Sequence, residues 1–366
     1  MSKVLILTNS TLGLYLFRKE LISALILQGY QVYASSPYDG CTSELKSLGI
    51  TLIETQYDRG NTNPIRDVLL FLHYKKLVRE IKPDIILAYT IKPNVYGNLA
   101  AKGYKVPVIS TITGLGEVFI RSSLVSFIVK VLYRAAFKSV KCVVFQNRED
   151  EHIMRSARII HDQKVLLVNG SGVNLIEHTS LEYPCIPIVS FLYIGRIMET
   201  KGIEQLIMAS RRLKLDNSGE FSVTLIGSYD GNVREKVETA VNEGIIFYLG
   251  FQSDIKPILR NAHCIVLPSY YKEGMSNALL EAAASARPLI TTDISGCREI
   301  VEDGINGLIC KPRDADSLYI CMRDFLMLSN EQRKNMGIAS RRKVELEFDR
   351  IDVVDSMLRE IKCHSD

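Results

Sequence analysis

Short apolar runs of strand character alternate with helical patterns along the whole chain, and no other feature constrains the fold as much. Val4–Leu7, Gln31–Ala34, Thr51–Ile53, Asp84–Ala88, Val108–Thr111, Cys142–Gln146 and Val165–Val168 form a first set. Phe191–Ile194, Ser222–Ile226, Ile246–Leu249, Cys264–Pro268, Leu289–Thr292 and Leu308–Ile309 form a second. Many of the intervening segments are long enough for crossover helices, which makes the strands parallel and the crossovers right-handed. A twisted open sheet rarely exceeds ~10 strands, and 366 residues exceed one typical core. The expected fold is therefore α/β, with two doubly wound, Rossmann-like domains. The break falls between Asn169 and Pro187, where Gly170, Gly172, Pro184 and Pro187 interrupt any periodicity. This gives an N-terminal domain over 1–170, a linker over 171–187 and a C-terminal domain over 188–342. A charged helical segment at about 343–366 can return to the first domain, which the sequence does not decide.

In doubly wound sheets, ligands bind beyond the carboxyl ends of the strands. If the two sheets face each other there, the active site is the cleft between them. Glu273 lies in the loop after the run Cys264–Ser269, and Glu281 lies about two turns into the helix that begins near Asn277. Between them the amides of Gly274, Met275 and Ser276 are expected to stand open at the helix start, where anions and sugar oxygens are attracted. Gly195-Arg196-Ile-Met-Glu-Thr-Lys201-Gly202 follows the strand Phe191–Ile194 and precedes a helix. Arg196 offers phosphate a bidentate grip and Lys201 a point charge, and the two glycines permit close backbone approach. Carboxylates for hydroxyls, with cations and amides for a diphosphate, suit a nucleotide sugar.

These blocks resemble the donor signatures of family 4 glycosyltransferases with the GT-B architecture, Gly-Arg-x4-Lys-Gly and Glu-x7-Glu. The pattern continues in Leu249–Ile255, Leu267–Tyr270, Arg287–Glu299 and Asn306–Leu308, in the family's order and over essentially the whole chain. The resemblance implies a retaining enzyme, and no required metal is expected. Arg196 and Lys201 would bind the donor diphosphate and stabilise it as it leaves, and Glu281 would hold the ribose. Glu273 would hold the transferred sugar, aided by Gly274, Met275, Ser276 and Asn277. The backbone near Phe251, Gln252 and Ser253 would receive the base. In the first domain, the loop carrying Gly13 would approach donor phosphate or acceptor. The loops carrying Lys92 and Asn94, and Thr113 and Gly114, resemble those of enzymes that extend polyprenyl-diphosphate-linked glycans for O-antigen or capsule. Lys92 is the candidate for a phosphate of acceptor or leaving group. Thr90 or a neighbour stands where many members carry a histidine, so a histidine base does not transfer.

The implied activity is a hexosyl or N-acetylhexosaminyl transfer, with GalNAc or GlcNAc the expected sugars, from a UDP-sugar to a lipid-diphosphate saccharide. No other cofactor is expected. Two rivals remain: an isomerase like the UDP-N-acetylglucosamine 2-epimerases, and a non-catalytic nucleotide-sugar-binding partner. Asp314-Ala-Asp316 imitates a metal motif but precedes a helix, so capping is expected. The six histidines lack zinc-ligand spacing, and His263, before a buried strand, is read as structural. Eight scattered cysteines without a CxxC pair read as reduced thiols. A net charge of +4 leaves no nucleic-acid footprint. The N-terminal run is too short for a signal peptide, and no run reaches the ~18 apolar residues of a membrane span. Residues 122–141 are apolar with Lys130, Arg134, Lys138 and Lys141 at helical spacing and no acids, the composition of a helix lying in an anionic membrane surface. The expected location is cytoplasmic, peripheral on the inner face of the cytoplasmic membrane.

Overall fold

The computed structural model describes residues 1–56, 63–116, 119, 124–252 and 254–365. Their contacts divide the chain into two units: Met1–Gly172 with Arg350–Asp366, and Val173–Asp349.

The first unit contains β1 (Lys3–Leu7), α1 (Thr11–Leu27), β2 (Gln31–Ser36), α2 (Thr42–Ser47), β3 (Thr51–Glu54), α3 (Pro64–Ile81) and β4 (Ile85–Tyr89). There follow a π-helical turn (Pro93–Gly97), α4 (Asn98–Lys102), β5 (Val108–Ile112), α5 (Leu124–Phe137), β6 (Cys142–Phe145), α6 (Arg148–Ser156) and β7 (Lys164–Leu167). The seven strands form one parallel sheet in the order β3-β2-β1-β4-β5-β6-β7. The central strands β4, β5 and β6 are buried along their whole length, which is why they read as unbroken apolar runs. One face of the sheet is covered by α1 and α2, and the other by α3, α4 and α5.

The second unit contains β8 (Val189–Ile194), α7 (Ile203–Leu215), β9 (Phe221–Ile226), α8 (Arg234–Asn242), β10 (Phe247–Tyr248), α9 (Lys256–Asn261) and β11 (Cys264–Leu267). It continues with α10 (Asn277–Ala284), β12 (Leu289–Thr292), β13 (Gly307–Cys310), α11 (Ala315–Met327) and α12 (Asn330–Glu347). Its six strands are parallel in the order β10-β9-β8-β11-β12-β13.

The stretch expected as a linker packs on this second unit from Val173 onward. Arg287, fully buried, donates to the carbonyls of Leu181 and Glu182, and the Tyr183 hydroxyl donates to the carbonyl of His263. His263 is likewise structural. It is inaccessible, its Nδ1 accepts from the Ser190 amide at 3.1 Å, and burial lowers its pKa to about 4. Asp314 caps α11 through the Ser317 amide at 2.8 Å.

The last helix, α13 (Arg350–Ser365), belongs to the first unit. Met357, Leu358 and Ile361 enter the core beside α1. Glu360, 4% exposed, pairs with Lys164 at 2.5 Å and His364 at 2.9 Å. Arg350 pairs with Glu20 and donates to the carbonyls of Leu16 and Gly172. A side chain at Gly172 would collide with the Arg350 backbone, so the turn requires glycine, at φ +63°.

Candidate active site

Strand order in the second unit reverses direction between β8 and β11, so the crevice of a doubly wound sheet opens at their carboxyl ends. The loops after these two strands carry the expected residues and bring them together. The Tyr270 amide donates to the Thr200 carbonyl at 2.9 Å, locking loop to loop. Gly202, at φ +76°, lies so close to the Pro268 carbonyl that any Cβ would collide with it. Gly195 faces Gly227, which has no room for a Cβ against the Gly195 carbonyl. These glycines therefore serve backbone packing within the protein, where the sequence suggested approach to a ligand.

Lys201 is 8% exposed and its ammonium contacts the Glu273 carboxylate, itself 18% exposed. Burial lowers the lysine pKa to about 8; Arg196 acts in the same sense, and the thiol of buried Cys297 against it. The contact with Glu273 favours the charged form, so the ammonium is protonated at neutral pH. Arg196 is half exposed and pairs with Asp230 at 2.6 Å. Its guanidinium carbon lies 5.8 Å, and Lys201 Nζ 5.7 Å, from the centre of the Tyr271 ring. Two cations thus converge on one aromatic ring, with carboxylate partners that an anionic ligand can replace. Sequence reasoning missed Tyr271 and Asp230. Tyr271 is adjacent to a motif, but nothing in the sequence links Asp230 to Arg196.

The start of α10 is only partly as expected. The Ser276 amide is not open: it donates to the Gly296 carbonyl at 2.7 Å. Gly296, at φ +87°, presses against the carbonyls of Glu273 and Gly274, and its own amide is held by Glu299 at 2.8 Å. The Ser276 side chain makes no cap, so the first-turn amides beginning at Asn277 carry the open end of the helix. Met275 is buried, and Glu281 is partly exposed on the second turn. Phe251 is 67% exposed, and the Gln252 side chain donates to the Leu249 carbonyl at 2.7 Å; Ser253 lies outside the described residues.

In the first unit the reversal falls between β1 and β4. The loop after β1 does not present the amide of Gly13, which donates to Ser10 Oγ at 2.9 Å. Asp39 also occupies this helix start, accepting from Ser10, Thr11 and the Leu12 amide. A carboxylate already sits where a phosphate was expected, and it repels one. Lys92 pairs with Asp67 at 2.9 Å, both largely buried, so its charge is already matched.

Two features at the end of β4 were not legible. Thr90 adopts φ +71°, a strained conformation for a β-branched residue, and its buried hydroxyl has no partner among the described residues. Asn94, 1% exposed, lies in the π-helical turn and donates to the Thr111 carbonyl at 2.9 Å. Its Oδ1 likewise has no partner among the described residues. Strained backbone, a π turn and unsatisfied buried oxygens concentrate at functional sites. Arg18 lies over the Tyr89 ring at 4.8 Å, its pKa lowered by burial. Thr113 and Gly114 follow β5, partly exposed, with Gly114 at φ +116°.

The basic stripe of residues 122–141 is also corrected. The helix ends at Phe137, so Lys138 and Lys141 lie beyond it, and Arg134 turns inward to donate to the Ala157 carbonyl at 2.9 Å. The outward face is apolar, with Phe127, Ile128 and Val131 exposed. Ser122 and Ser123 lie outside the described residues. Among the described residues no helix is long and apolar enough to cross a membrane, and no cluster of potential metal ligands occurs.

Two doubly wound parallel units, one with convergent cations and carboxylates at its switch point, define an enzyme of the GT-B architecture. Sucrose-phosphate synthase from Thermosynechococcus elongatus shares the fold over 99% of this chain and 98% of its own, with TM-score 0.84 at 18% identity. Anabaena HepE in complex with UDP-glucose matches with TM-score 0.76 at 15% identity, covering 99% and 100%. The family models for glycosyl transferase 4-like and glycosyl transferases group 1 domains match residues 3–147 and 189–327. The chain belongs to the family 4 glycosyltransferases. It is 29% identical to the N,N'-diacetylbacillosaminyl-diphospho-undecaprenol alpha-1,3-N-acetylgalactosaminyltransferase of Campylobacter jejuni, over 85% of this chain and 86% of that protein. It is 26% identical to the UDP-Gal:alpha-D-GlcNAc-diphosphoundecaprenol alpha-1,3-galactosyltransferase of Escherichia coli, over 70% of each.

Proposed function

We propose that this glycosyltransferase moves an N-acetylhexosamine or hexose from a UDP-sugar to a polyprenyl-diphosphate-linked saccharide, with retention at the anomeric carbon. One observation carries the donor reading: Lys201 and Glu273 meet at the β8–β11 switch point, with Arg196 beside them. In this reading the donor diphosphate takes Lys201 from Glu273 and Arg196 from Asp230, and the open start of α10 faces its charge. Glu273, released, accepts hydrogen bonds from hydroxyls of the sugar, and Glu281 from those of the ribose. Phe251 and Gln252 meet the base. As the glycosidic bond breaks, negative charge grows on the diphosphate, where the two cations already stand. Departure of the diphosphate on the face that the acceptor approaches gives retention without a covalent intermediate.

The acceptor reading draws on the two relatives, both named for diphospho-undecaprenol substrates. The polar groups at the end of β4 suit the neutral part of such an acceptor: Asn94 Oδ1 requires a donor, which a sugar hydroxyl supplies. Location at the inner face of the cytoplasmic membrane follows from this substrate class.

The test is a panel of UDP-sugars against synthetic polyprenyl-diphosphate saccharides, read by product mass, with wild type and Glu273→Ala. UDP release that requires acceptor, with product of increased mass, and loss of both in Glu273→Ala, supports transfer. Exchange of the sugar C2 hydrogen without acceptor shows the epimerase reading instead. Full activity in Glu273→Ala overturns the site assignment.

A further inference from the structure

Among the described residues of the first unit, half of the large apolar side chains left exposed are gathered on two helices. On α3, Ile65, Val68, Leu69 and Leu72 are 70%, 56%, 60% and 51% exposed. Their spacing is that of a helix face made for burial. Yet the buried face of α3 is a different one, formed by Leu70, Tyr74, Leu77, Val78 and Ile81. The N-terminal half of the helix is therefore apolar on two sides, and only one is covered. On α5, Phe127, Ile128 and Val131 are 63%, 48% and 44% exposed, the first two in the first half of the helix and the third just past its middle.

These two surfaces share a side and an edge of the unit. Both helices cover the same face of the sheet, and both pack against the π-helical turn Pro93–Gly97. Each follows a parallel strand, so its first half lies at the carboxyl edge of the sheet, where Thr90 and Asn94 are found. The ion pair of Asp67 on α3 with Lys92 ties α3 to that same turn.

Among the described residues the surrounding charge is mainly basic. Lys75, Lys76 and Arg79 are exposed on α3, against Glu80 on the same helix and Glu54 at the end of β3, which lies beside Leu69, while Asp67 is matched by Lys92. The sequence of α5 holds no acid, and Lys138 and Lys141 are exposed just beyond it. Apolar side chains followed along each helix by basic ones complement an acyl layer and its anionic headgroups. The same charges argue against a second copy of this chain, since a twofold interface would set like charges face to face.

We propose that α3 and α5 together form a docking face for an anionic lipid bilayer. The physiological purpose rests on the lipid-linked acceptor reading, whereas the surface itself stands on these exposed side chains. It differs from the single basic helix suggested by sequence in two ways: α3 is half of it, and apolar side chains precede the basic ones along each helix.

The experiment is co-sedimentation of the intact protein with vesicles of phosphatidylcholine alone and of mixed phosphatidylcholine and phosphatidylglycerol, without any acceptor. The variant is Leu69→Glu with Leu72→Glu, two side chains outside the buried face of α3. The wild type is expected on the mixed vesicles and not on phosphatidylcholine, and the variant's partition coefficient to fall about tenfold or more. Transfer to a short-chain, water-soluble prenyl-diphosphate acceptor is measured in parallel and is expected to be unchanged, which shows that the variant is folded. Equal binding of variant and wild type overturns the role of α3, and binding indifferent to phosphatidylglycerol overturns the choice of an anionic surface. A lipid-free dimer that the variant dissolves makes the occupant a second copy. Vesicle binding without transfer to any lipid-diphosphate acceptor leaves this surface standing and removes the acceptor reading.

Discussion

Replacing Lys201 and Glu273 together, as Lys201→Met with Glu273→Gln, is expected to stabilise the protein at neutral pH while abolishing transfer. Burial takes the Lys201 ammonium from an ordinary 10.5 to about 8. Each pH unit of displacement is worth about 1.4 kcal/mol, so the buried charge opposes folding by about 3 kcal/mol. The Glu273 contact offsets part of this. Replacing a buried ion pair by uncharged groups of similar shape often gains ~1–4 kcal/mol, and a gain of about 1–3 kcal/mol is expected here. The double change matters, because Lys201→Met alone leaves the mostly buried Glu273 carboxylate without its cation. The pH dependence separates this cause from improved packing. Between about 8 and 10.5 the unfolded chain keeps a proton at Lys201 that the folded chain has lost, so wild-type stability rises with pH across that window. Below it the full penalty is present, and above it none remains.

Urea unfolding followed by far-ultraviolet circular dichroism, at about pH 7 and about pH 10, measures both effects. The variant's advantage should be full at the lower pH and mostly gone at the higher. Transfer should fall by ~10²–10³ or more, the usual effect of removing a group that stabilises developing charge. A variant less stable than wild type at neutral pH refutes the reasoning, as does an advantage of the same size at both pH values.

Thr90→Gly should be more stable than Thr90→Ala by about 1 kcal/mol, the reverse of the usual order, because only glycine adopts φ +71° without strain. Urea unfolding decides it, and an alanine variant equal to or better than glycine removes the strain argument. Gly202→Ala should cost about 2–4 kcal/mol, since its Cβ meets the Pro268 carbonyl at a positive φ. The loops bearing Lys201 and Glu273 must then part, so UDP affinity by calorimetry should fall as well; unaltered affinity would show that the cations do not depend on this packing.

The parts of this molecule that were legible in its sequence are those fixed by local pattern. Strands such as β4, β5, β11 and β12 are buried on both sides, so burial alone writes them as apolar runs. Lys201 and Glu273 were legible because each sits a few residues past such a strand. What escaped was set by partners distant in sequence. Lys92 looked like a free cation until Asp67 was found beside it. The Gly13 amide looked open because nothing in the sequence says that Ser10 caps the helix and Asp39 folds back on it. The stripe on α5 failed differently: helical periodicity was extended past the point where the helix stops, so Lys138 and Lys141 were assigned a face they do not share. The backbone strain at Thr90 gave no sign, because its residue type argues against the conformation it adopts.

Those corrections bear on the division of donor and acceptor between the units that we propose. Each unit has a crevice at its strand-order reversal, and an anion would be welcome in either if helix dipoles alone decided. They do not decide alone. In the first unit the start of α1 is filled by the Asp39 carboxylate, and the nearby Lys92 is matched by Asp67. In the second unit the start of α10 has no side-chain cap, and Arg196 and Lys201 converge beside it. Their partners, Asp230 and Glu273, are ones that a diphosphate outcompetes in charge. The first unit instead offers Asn94 and Thr90, neutral groups with unsatisfied oxygens. The electrostatics thus argue that a donor diphosphate belongs to the second unit and an uncharged part of the acceptor to the end of β4, a division that neither crevice would reveal from strand order alone.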